Sequence, residues 1–224
     1  MNARDLLEKY GRGTGISLKA IRIYARHICA ALAVLRRCKI IHGDVKPDNI
    51  LISSTLNTAK LGDFGSAVYS PCSELTCYFA SRYYRAPEII LKSPAIGCEA
   101  DMWSLGCTLY ELYTAQVPFP GKNNNEMLLL MMRTLGKFPN RMLRRAGAVK
   151  DHFDPSSNFC FKQRNIDGSV SNVSISAVPQ TPFISKLGEE DNSEFLHFLQ
   201  EALKLTPETR LTPMAALSHS FLKT

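Results

Sequence analysis

The first long periodic segment of the chain lies between Ser17 and Arg36. Apolar residues recur there at steps of three and four positions, as one face of an amphipathic helix requires; they are Leu18, Ile21, Ala25, Ile28, Leu32 and Leu35. The Ser17 hydroxyl can accept a hydrogen bond from an unpaired amide of a first helical turn. The pattern therefore predicts a helix that begins after Ser17 and ends near Arg36.

Three short apolar or β-branched runs follow this helix. They are Ile40–Ile41, Ile50–Ile52 and Ala59–Leu61, and their length and composition predict small strands that fix the loop between them. Residues 66–85 lack a helical period and hold Ser, Thr, Tyr, Cys and one Pro. We interpret them as a mobile loop that can be modified.

The second half of the chain alternates between helical and irregular patterns. Residues 101–115 are apolar on nearly every face, which predicts a helix buried in the middle of a helical domain. Met127–Leu135 is expected to be a helix capped by Asn124 or Asn125 and stopped by Gly136. Further helices are expected after the cap Ser193, on Phe195, Leu196, Leu199 and Leu203, and after Thr212-Pro213.

Between these helices, polarity rises and periodicity is lost from Asn140 to about Asp191, and Asp167–Asn172 has the composition of an exposed turn. The predicted fold class is mainly α with a few short β-strands.

Composition narrows the protein class. The chain has 224 residues, of which 45% are hydrophobic, enough for a sizeable core. It has no run of eighteen apolar residues and begins without an apolar leader, so we expect no membrane span and no signal peptide. The seven cysteines form no C-x-x-C pair, which favours a reducing, intracellular setting.

The net charge of +7 gives weak support for an acidic partner. The basic residues are scattered, apart from Arg36–Lys39 and Arg141–Lys150. Most of them are expected to lie on solvated faces, and the alternative is docking of phosphorylated or acidic substrates or of RNA-bound complexes. Because no RNA-binding motif occurs, we predict no direct sequence-specific nucleic-acid binding.

The candidate chemistry is concentrated in His42–Asn49 and Asp63–Gly65. Asp44 can accept the proton of an attacking hydroxyl, and Lys46 can neutralise charge on a transferred phosphoryl group. Asn49 and Asp63 can hold the metal that bridges the phosphates of a nucleotide. His42 is given a structural role only. These residue types at this spacing favour phosphoryl transfer, which needs positioning and charge neutralisation more than covalent chemistry.

Three later motifs complete a known order: Ala86-Pro87-Glu88, Asp101–Gly106 and Leu205–Arg210. With them the chain resembles, from end to end, the large (C-terminal) lobe of eukaryotic protein kinases. Ser81–Glu88 resembles the CMGC group of that family. Met1–Leu7, Asp101–Tyr113 and Phe119–Asn124 are similar to the Prp-four-type pre-mRNA-processing branch.

The resemblance implies one domain over residues 1–224. Its parts would be a catalytic loop at 42–49, an activation segment at 63–88 and a CMGC-type insert at about 140–191. The implied activity is that of a protein serine/threonine kinase that uses ATP and Mg²⁺, with Lys46 also marking the serine/threonine class. The implied partners are protein substrates, particularly spliceosomal proteins, and we expect a nuclear monomer.

The resemblance also assigns roles outside the catalytic loop. Leu51 would form the floor of the adenine pocket, and Asp101 would bind the catalytic-loop backbone. Glu88 and Arg210 would form a buried pair that ties the activation segment to the last helices. Regulation would centre on Tyr78, with Thr76 second, and Arg82 would contact the Tyr78 phosphate.

The chain departs from the family pattern in three ways. It has no Gly-rich phosphate loop, strand Lys or helix Glu, so the small N-terminal lobe is missing, and we expect a fragment rather than a natural lone lobe. Gly43 stands where most kinases have an Arg that grips an activation-loop phosphate. Thr206 stands where Asp is usual before the Pro, with a small structural effect expected.

Two other functions fit parts of the pattern. H-G-D-x-x-x-x-N also resembles small-molecule phosphotransferases such as aminoglycoside and choline kinases, but those lack counterparts of Lys46, Arg82, Ala86–Glu88 and Arg210. A lone large lobe could also serve as a non-catalytic binding module. All catalytic residues are present, so the sequence itself gives no sign of catalytic decay.

Overall fold

The computed structural model describes residues 1–73, 79–164, 170–181 and 193–223. The α-helices in these ranges are α1 (Ala3–Tyr10), α2 (Leu18–Arg37), α3 (Pro87–Ile90), α4 (Glu99–Thr114), α5 (Asn124–Leu135), α6 (Asn140–Arg145), α7 (Ser193–Ala202), α8 (Pro213–Leu217) and α9 (Ser220–Lys223). The strands are β1 (Ile40–Ile41), β2 (Ile50–Ile52), β3 (Ala59–Leu61), β4 (Val68–Tyr69), β5 (Phe159–Arg164) and β6 (Val170–Ile175).

The strands form three antiparallel two-stranded sheets. β1 pairs with β4, with Ile40 opposite Tyr69. β2 pairs with β3, with Leu51 opposite Lys60, and β5 pairs with β6. The mainly helical class with small sheets is therefore confirmed. None of the helices in the described ranges is both long and apolar enough to cross a bilayer.

Helix α4 is the centre of the core. All of its residues from Ala100 to Leu112 are buried, as the apolar pattern predicted. Gly106 permits this packing, because a Cβ atom there would lie 2.9 Å from the Leu203 side chain. The amphipathic face of α2 packs on α4 and on β3. A helix buried on every face can place polar side chains inside the domain, and α4 does so at the site described below.

Several local signals in the sequence were correct. The Ser17 side chain accepts a hydrogen bond from the Ala20 amide at the start of α2. Gly136 ends α5 with φ of 92°, in the left-handed region that favours glycine. Thr212 caps α8 by accepting a bond from the Ala215 amide.

Other boundaries differ from the prediction. The cap of α5 is Asn123, not Asn124 or Asn125, and its side chain accepts from the Glu126 amide. The expected last helix is divided into α8 and α9. Residues 68–69 of the predicted loop pair with β1, and part of the polar stretch after Asn140 forms the β5–β6 hairpin.

A buried ion pair joins α3 to the segment that precedes α8. Nη1 and Nη2 of Arg210 donate to the Glu88 carboxylate, at 2.6 and 2.9 Å. Both side chains are almost fully buried. The Arg210 guanidinium also donates to the carbonyls of Lys204 and Glu99 and lies 5.2 Å from the centre of the Trp103 ring. Its donors are thereby satisfied, which offsets the cost of burying the charge.

We expect Glu88→Gln to lower the free energy of unfolding by about 3–5 kcal/mol, because Arg210 would remain buried without its counter-charge. Urea unfolding of the two proteins measures the difference. The control is Glu208→Gln, whose carboxylate is exposed and has no ion pair among the described residues. Equal midpoints for wild type and Glu88→Gln would contradict this role of the pair.

Candidate active site

Asp101 of α4 holds the catalytic loop by hydrogen bonds to its backbone. The two carboxylate oxygens of Asp101 accept hydrogen bonds from the backbone amides of His42 at 2.8 Å and Gly43 at 2.9 Å. Burial raises the pKa of Asp101 to about 6, against the opposing effect of these two bonds. The loop is thus fixed to the central helix at the two residues that precede Asp44.

His42 connects this loop to the segment after β3. Its Nε2 atom lies 3.0 Å from the carbonyl oxygen of Gly62 and donates to it, because a carbonyl can only accept. The imidazole ring also contacts the Phe64 ring edge-on, with centroids 4.9 Å apart. Burial lowers the pKa of His42, so the ring is neutral near neutral pH. His42 thus links the catalytic loop to the segment after β3, and its purely structural role stays a prediction.

Asp44 is the centre of a network of donors. Its carboxylate accepts hydrogen bonds from Lys46 Nζ at 2.7 Å, from Ser81 Oγ at 2.7 Å and from Asn49 Nδ2 at 3.0 Å. Lys46 Nζ also donates to Ser81 Oγ at 3.0 Å. Three donor residues from two separate segments therefore meet at one carboxylate.

These donors determine the protonation state of Asp44. Burial alone would raise the pKa of this carboxyl, but the bonds from Lys46, Ser81 and Asn49 outweigh it and hold the pKa below its usual value. Asp44 is ionised at neutral pH. It can orient a substrate hydroxyl and accept its proton as the oxygen bonds to phosphorus.

Asn49 and Asp63 retain oxygen atoms that could bind a cation. The hairpin of β2 and β3 brings them together, since Gly62 N donates to Asn49 O at 2.9 Å. The amide nitrogen of Asn49 is used on Asp44, while its Oδ1 has no donor among the described residues. Asp63 is exposed and receives only the Gly65 amide within those ranges, at 3.2 Å.

This donor set fits magnesium. Mg²⁺ is commonly held by one or two protein oxygens together with phosphate oxygens and water. The described residues contain no cluster of three His, Cys, Asp or Glu side chains that could bind a metal by themselves. A cation here would need ligands from a nucleotide, as in phosphoryl-transfer sites.

Apolar surface lies beside these residues. Leu51 and Phe64 are each 51% exposed, and Leu51 lies on β2, directly after Asn49 and Ile50. The position of Leu51 next to the cation-binding oxygens is compatible with contact to a planar base. An exposed apolar patch of this kind marks a surface that a ligand or another protein unit covers.

Gly43 allows the end of the activation segment to pack on the catalytic loop. Its φ is 80°, and a Cβ atom there would collide with the Phe79 ring. Arg85 holds the same segment, donating to the carbonyls of Phe79 at 2.9 Å and Ala80 at 2.8 Å and to Asn124. Packing and Arg85 therefore anchor this segment. They do so in a chain that has Gly43 at the position where most kinases have an arginine.

Only some of the residues in the regulatory prediction lie in the part of the chain that the structure describes. Thr76 and Tyr78 lie outside the described residues. Arg82 is exposed and forms no ion pair within the described ranges, whereas Glu88, Asp101 and Arg210 are buried at the positions given above.

Sequence reasoning missed two features of this site. Ser81 is a direct partner of Asp44 but was considered only as part of a motif. Arg4 of α1 donates to Glu111 at 2.5 Å, to the Tyr84 hydroxyl at 2.8 Å and to Asp48 at 3.3 Å. Such a cluster gives no local signal, because Arg4 and Glu111 are separated by 107 positions.

Comparison with known proteins agrees with the geometry. A family model described as "Protein kinase domain" matches residues 1–222. Serine/threonine-protein kinase prp4 of Schizosaccharomyces pombe is 43% identical over 99% of this chain and 48% of its own length. Serine/threonine-protein kinase prpf4B of Dictyostelium discoideum is 39% identical over the whole chain and 29% of its own length.

A third relative belongs to a neighbouring branch of kinases. Dual specificity tyrosine-phosphorylation-regulated kinase 3 of Homo sapiens is 36% identical, over 97% of this chain and 39% of its own length. The chain thus spans about half the length of one of these relatives and less of the other two. The two relatives named after prp4 and the dual-specificity relative bear out the sequence resemblance to the CMGC group.

We expect Lys46→Met to raise the pKa of Asp44, since the hydrogen bond and positive charge of the adjacent ammonium lower the pKa of this carboxyl. A carbon-detected NMR titration of the Asp44 carboxyl measures the shift. Lys60→Met, on the exposed side of β3, is the matched control and should leave Asp44 unchanged. An Asp44 pKa that is the same with and without Lys46 would refute the assigned electrostatics.

Proposed function

This chain belongs to the protein kinase family, and we propose that it forms the catalytic large lobe of a kinase that phosphorylates serine and threonine hydroxyls of proteins. The observation that carries the proposal is the convergence of Lys46, Ser81 and Asn49 on the ionised carboxylate of Asp44. An acid that is oriented by three donors, with a cation adjacent, suits transfer of a phosphoryl group to a hydroxyl.

Each residue has a separate role in the proposal. Asp44 orients the attacking hydroxyl and accepts its proton, and Lys46 offsets negative charge on the phosphoryl group. Asn49 Oδ1 and the Asp63 carboxylate would hold Mg²⁺. ATP with Mg²⁺ supplies the phosphoryl group and neutralises its oxygens when bound, and Leu51 would contact the adenine.

The phosphates of ATP must also be bound from the side opposite the catalytic loop, and the residues of the catalytic loop do not provide that contact. The 224 residues contain no Gly-rich loop, strand Lys or helix Glu of the kind that hold ATP phosphates in this family. We propose that catalysis requires a small lobe in addition to residues 1–224. The exposed apolar side chains of Leu51 and Phe64 are the surface that such a lobe and the nucleotide would cover.

The similarity to two kinases named after prp4 supports a finer assignment. We propose that the substrates are spliceosomal proteins, that the enzyme acts in the nucleus and that it is a monomer. The activation segment would span 63–88 and the CMGC-type insert about 140–191, which includes the β5–β6 hairpin. The small-molecule alternative is not favoured, because the relatives are protein kinases and Glu88 and Arg210 form the expected anchor.

Residues 1–224 alone should transfer no measurable phosphate to protein, whereas the same residues joined to a small lobe should be active. In the active protein, Asp44→Asn and Asp63→Ala should each lower kcat at least about 100-fold, because each removes a group aimed at the transition state. Steady-state phosphorylation of a protein substrate measures both effects, and Lys46→Ala should lower kcat more than it weakens nucleotide binding.

The control is Glu208→Gln, at an exposed acid outside the catalytic loop, which should keep wild-type kcat. Thermal melting confirms that each variant is folded. Full kcat in Asp44→Asn would disprove its role, and full activity of residues 1–224 alone would disprove the requirement for a small lobe.

We also propose that phosphorylation of Tyr78 activates the enzyme through Arg82, with Thr76 as a second site. A phosphate adds up to two negative charges and three acceptor oxygens. Arg85 is already bonded to Phe79 and Ala80, so Arg82 is the better placed arginine. Tyr78→Phe should lower kcat/KM on a protein substrate about tenfold or more, by loss of one charge-assisted contact. Unchanged kcat/KM would rule the idea out.

A further inference from the structure

We infer that a second site, which we call the basic pocket, binds a phosphorylated and acidic segment of the protein substrate; this inference rests on the proposed kinase function. The basic pocket is a cavity of about 410 Å³, within the range of small-ligand sites. It lies where the end of the activation segment, the start of α5 and strand β5 meet. Its cationic side chains are Arg82, Lys92, Lys122 and Lys162.

The charge of the pocket is strongly unbalanced. Four cations face a single acid in its lining, Asp151. The four cationic side chains are exposed, and none of them forms an ion pair within the described part of the chain. Elsewhere, cations such as Arg4, Arg36 and Lys204 do have carboxylate partners. An uncompensated group of cations around a concave surface attracts anions.

The position of Lys162 is fixed by a buried amide. Asn125 of α5 is 4% exposed and donates to His152 Nδ1 at 3.1 Å and to Cys160 O at 2.9 Å. Its Oδ1 accepts the backbone amide of Lys162 at 3.0 Å. These bonds attach strand β5 to the start of α5. Lys122, on the adjoining loop, and Lys162 therefore line the same cavity.

His152 contributes no charge to the pocket at neutral pH. Burial and the nearby Lys162 ammonium lower its pKa to about 4. A neutral ring that accepts a hydrogen bond from Asn125 supports the wall without adding a fifth cation. The pocket therefore keeps a net excess of three positive charges at neutral pH, from the four cations and Asp151.

The ligand that fits this charge is a phosphomonoester with acidic neighbours. A phosphorylated side chain carries about −1.5 to −2 charges at pH 7, less than the excess in the pocket, so one phosphate leaves room for a flanking Asp or Glu. Single-stranded RNA is less suitable, because RNA sites use aromatic side chains for base stacking. The lining residues that the structure describes include no Phe, Tyr or Trp.

The pocket is coupled to the catalytic residues through the chain itself. Arg82 directly follows Ser81, and the Ser81 hydroxyl donates to Asp44 at 2.7 Å. Adjacent Cα atoms are about 3.8 Å apart. A peptide with its phosphate on Lys122 and Lys162, which leaves Arg82 to the Tyr78 phosphate, would therefore present a hydroxyl a few residues away to Asp44. The pocket would select substrates that already carry phosphate.

The test is fluorescence anisotropy with residues 1–224 and no nucleotide. The probe is a short peptide with one phosphoserine and two aspartates, compared with its unphosphorylated twin. The phosphopeptide should bind at least about tenfold more tightly, as one charge-assisted contact is worth 1.5–3 kcal/mol. Lys122→Gln and Lys162→Gln should each weaken binding at least about threefold, and Lys122→Arg should retain it.

Lys19→Gln, an exposed lysine at the start of α2, is the matched control and should leave the affinity unchanged. Equal binding of the two peptides, an equal loss in Lys19→Gln, or tighter binding of oligouridine RNA would overturn the inference. The same assay on chain phosphorylated at Tyr78 distinguishes the source of the phosphate. If the phosphopeptide still binds, the pocket is a site for the substrate phosphate. If binding is lost, the pocket is instead the site for the chain's own phosphorylated loop.

Failure of this inference is distinguishable from failure of the proposed function. If the kinase assignment is wrong, the phosphopeptide still binds, but the protein joined to a small lobe transfers no phosphate. If only the pocket is wrong, the protein joined to a small lobe transfers phosphate to the phosphopeptide and to its unphosphorylated twin equally well, and Lys122→Gln and Lys162→Gln change neither rate.

Discussion

The site depends on one constraint: the two hydrogen bonds that the Asp101 carboxylate accepts from the backbone of the catalytic loop. Asp101 lies in the buried part of helix α4, from Ala100 to Leu112, so its position is fixed by the core. Two backbone amides, those of His42 and Gly43, donate to it. His42 in turn holds the Gly62 carbonyl, next to Asp63. One buried acid thus sets the relative positions of the Asp44 and Asp63 carboxylates.

The electrostatics of the site follow from that scaffold. Because the loop backbone is fixed, Lys46, Ser81 and Asn49 reach the same carboxylate and keep Asp44 ionised. The stretch from Phe79 to Glu88 is fixed independently, by Arg85 and by the buried pair of Glu88 and Arg210. The acid therefore needs no phosphate on the segment to be positioned, although a phosphate could still control access by substrate.

The sequence was informative where the signal is local and less so where contacts are distant. The period of α2 and the caps Ser17 and Thr212 gave correct boundaries, because the partners lie within one helical turn. The β5–β6 hairpin was missed within a polar stretch, although Phe159, Phe161, Val173 and Ile175 alternate as strand residues do. Two features join segments that are distant in the chain: the contact between Arg4 and Glu111, and the basic pocket. A single sequence shows no local pattern that predicts either of them.

The most direct test of this account is amide hydrogen exchange at His42 and Gly43. If the Asp101 carboxylate holds the catalytic loop, these two amides exchange as slowly as the core amides of α4. Asp101→Asn, which presents a donor to these amides in place of one acceptor oxygen, then accelerates their exchange while α4 remains protected. Exchange at His42 and Gly43 that is fast in the wild type, or unchanged in Asp101→Asn, would contradict the account.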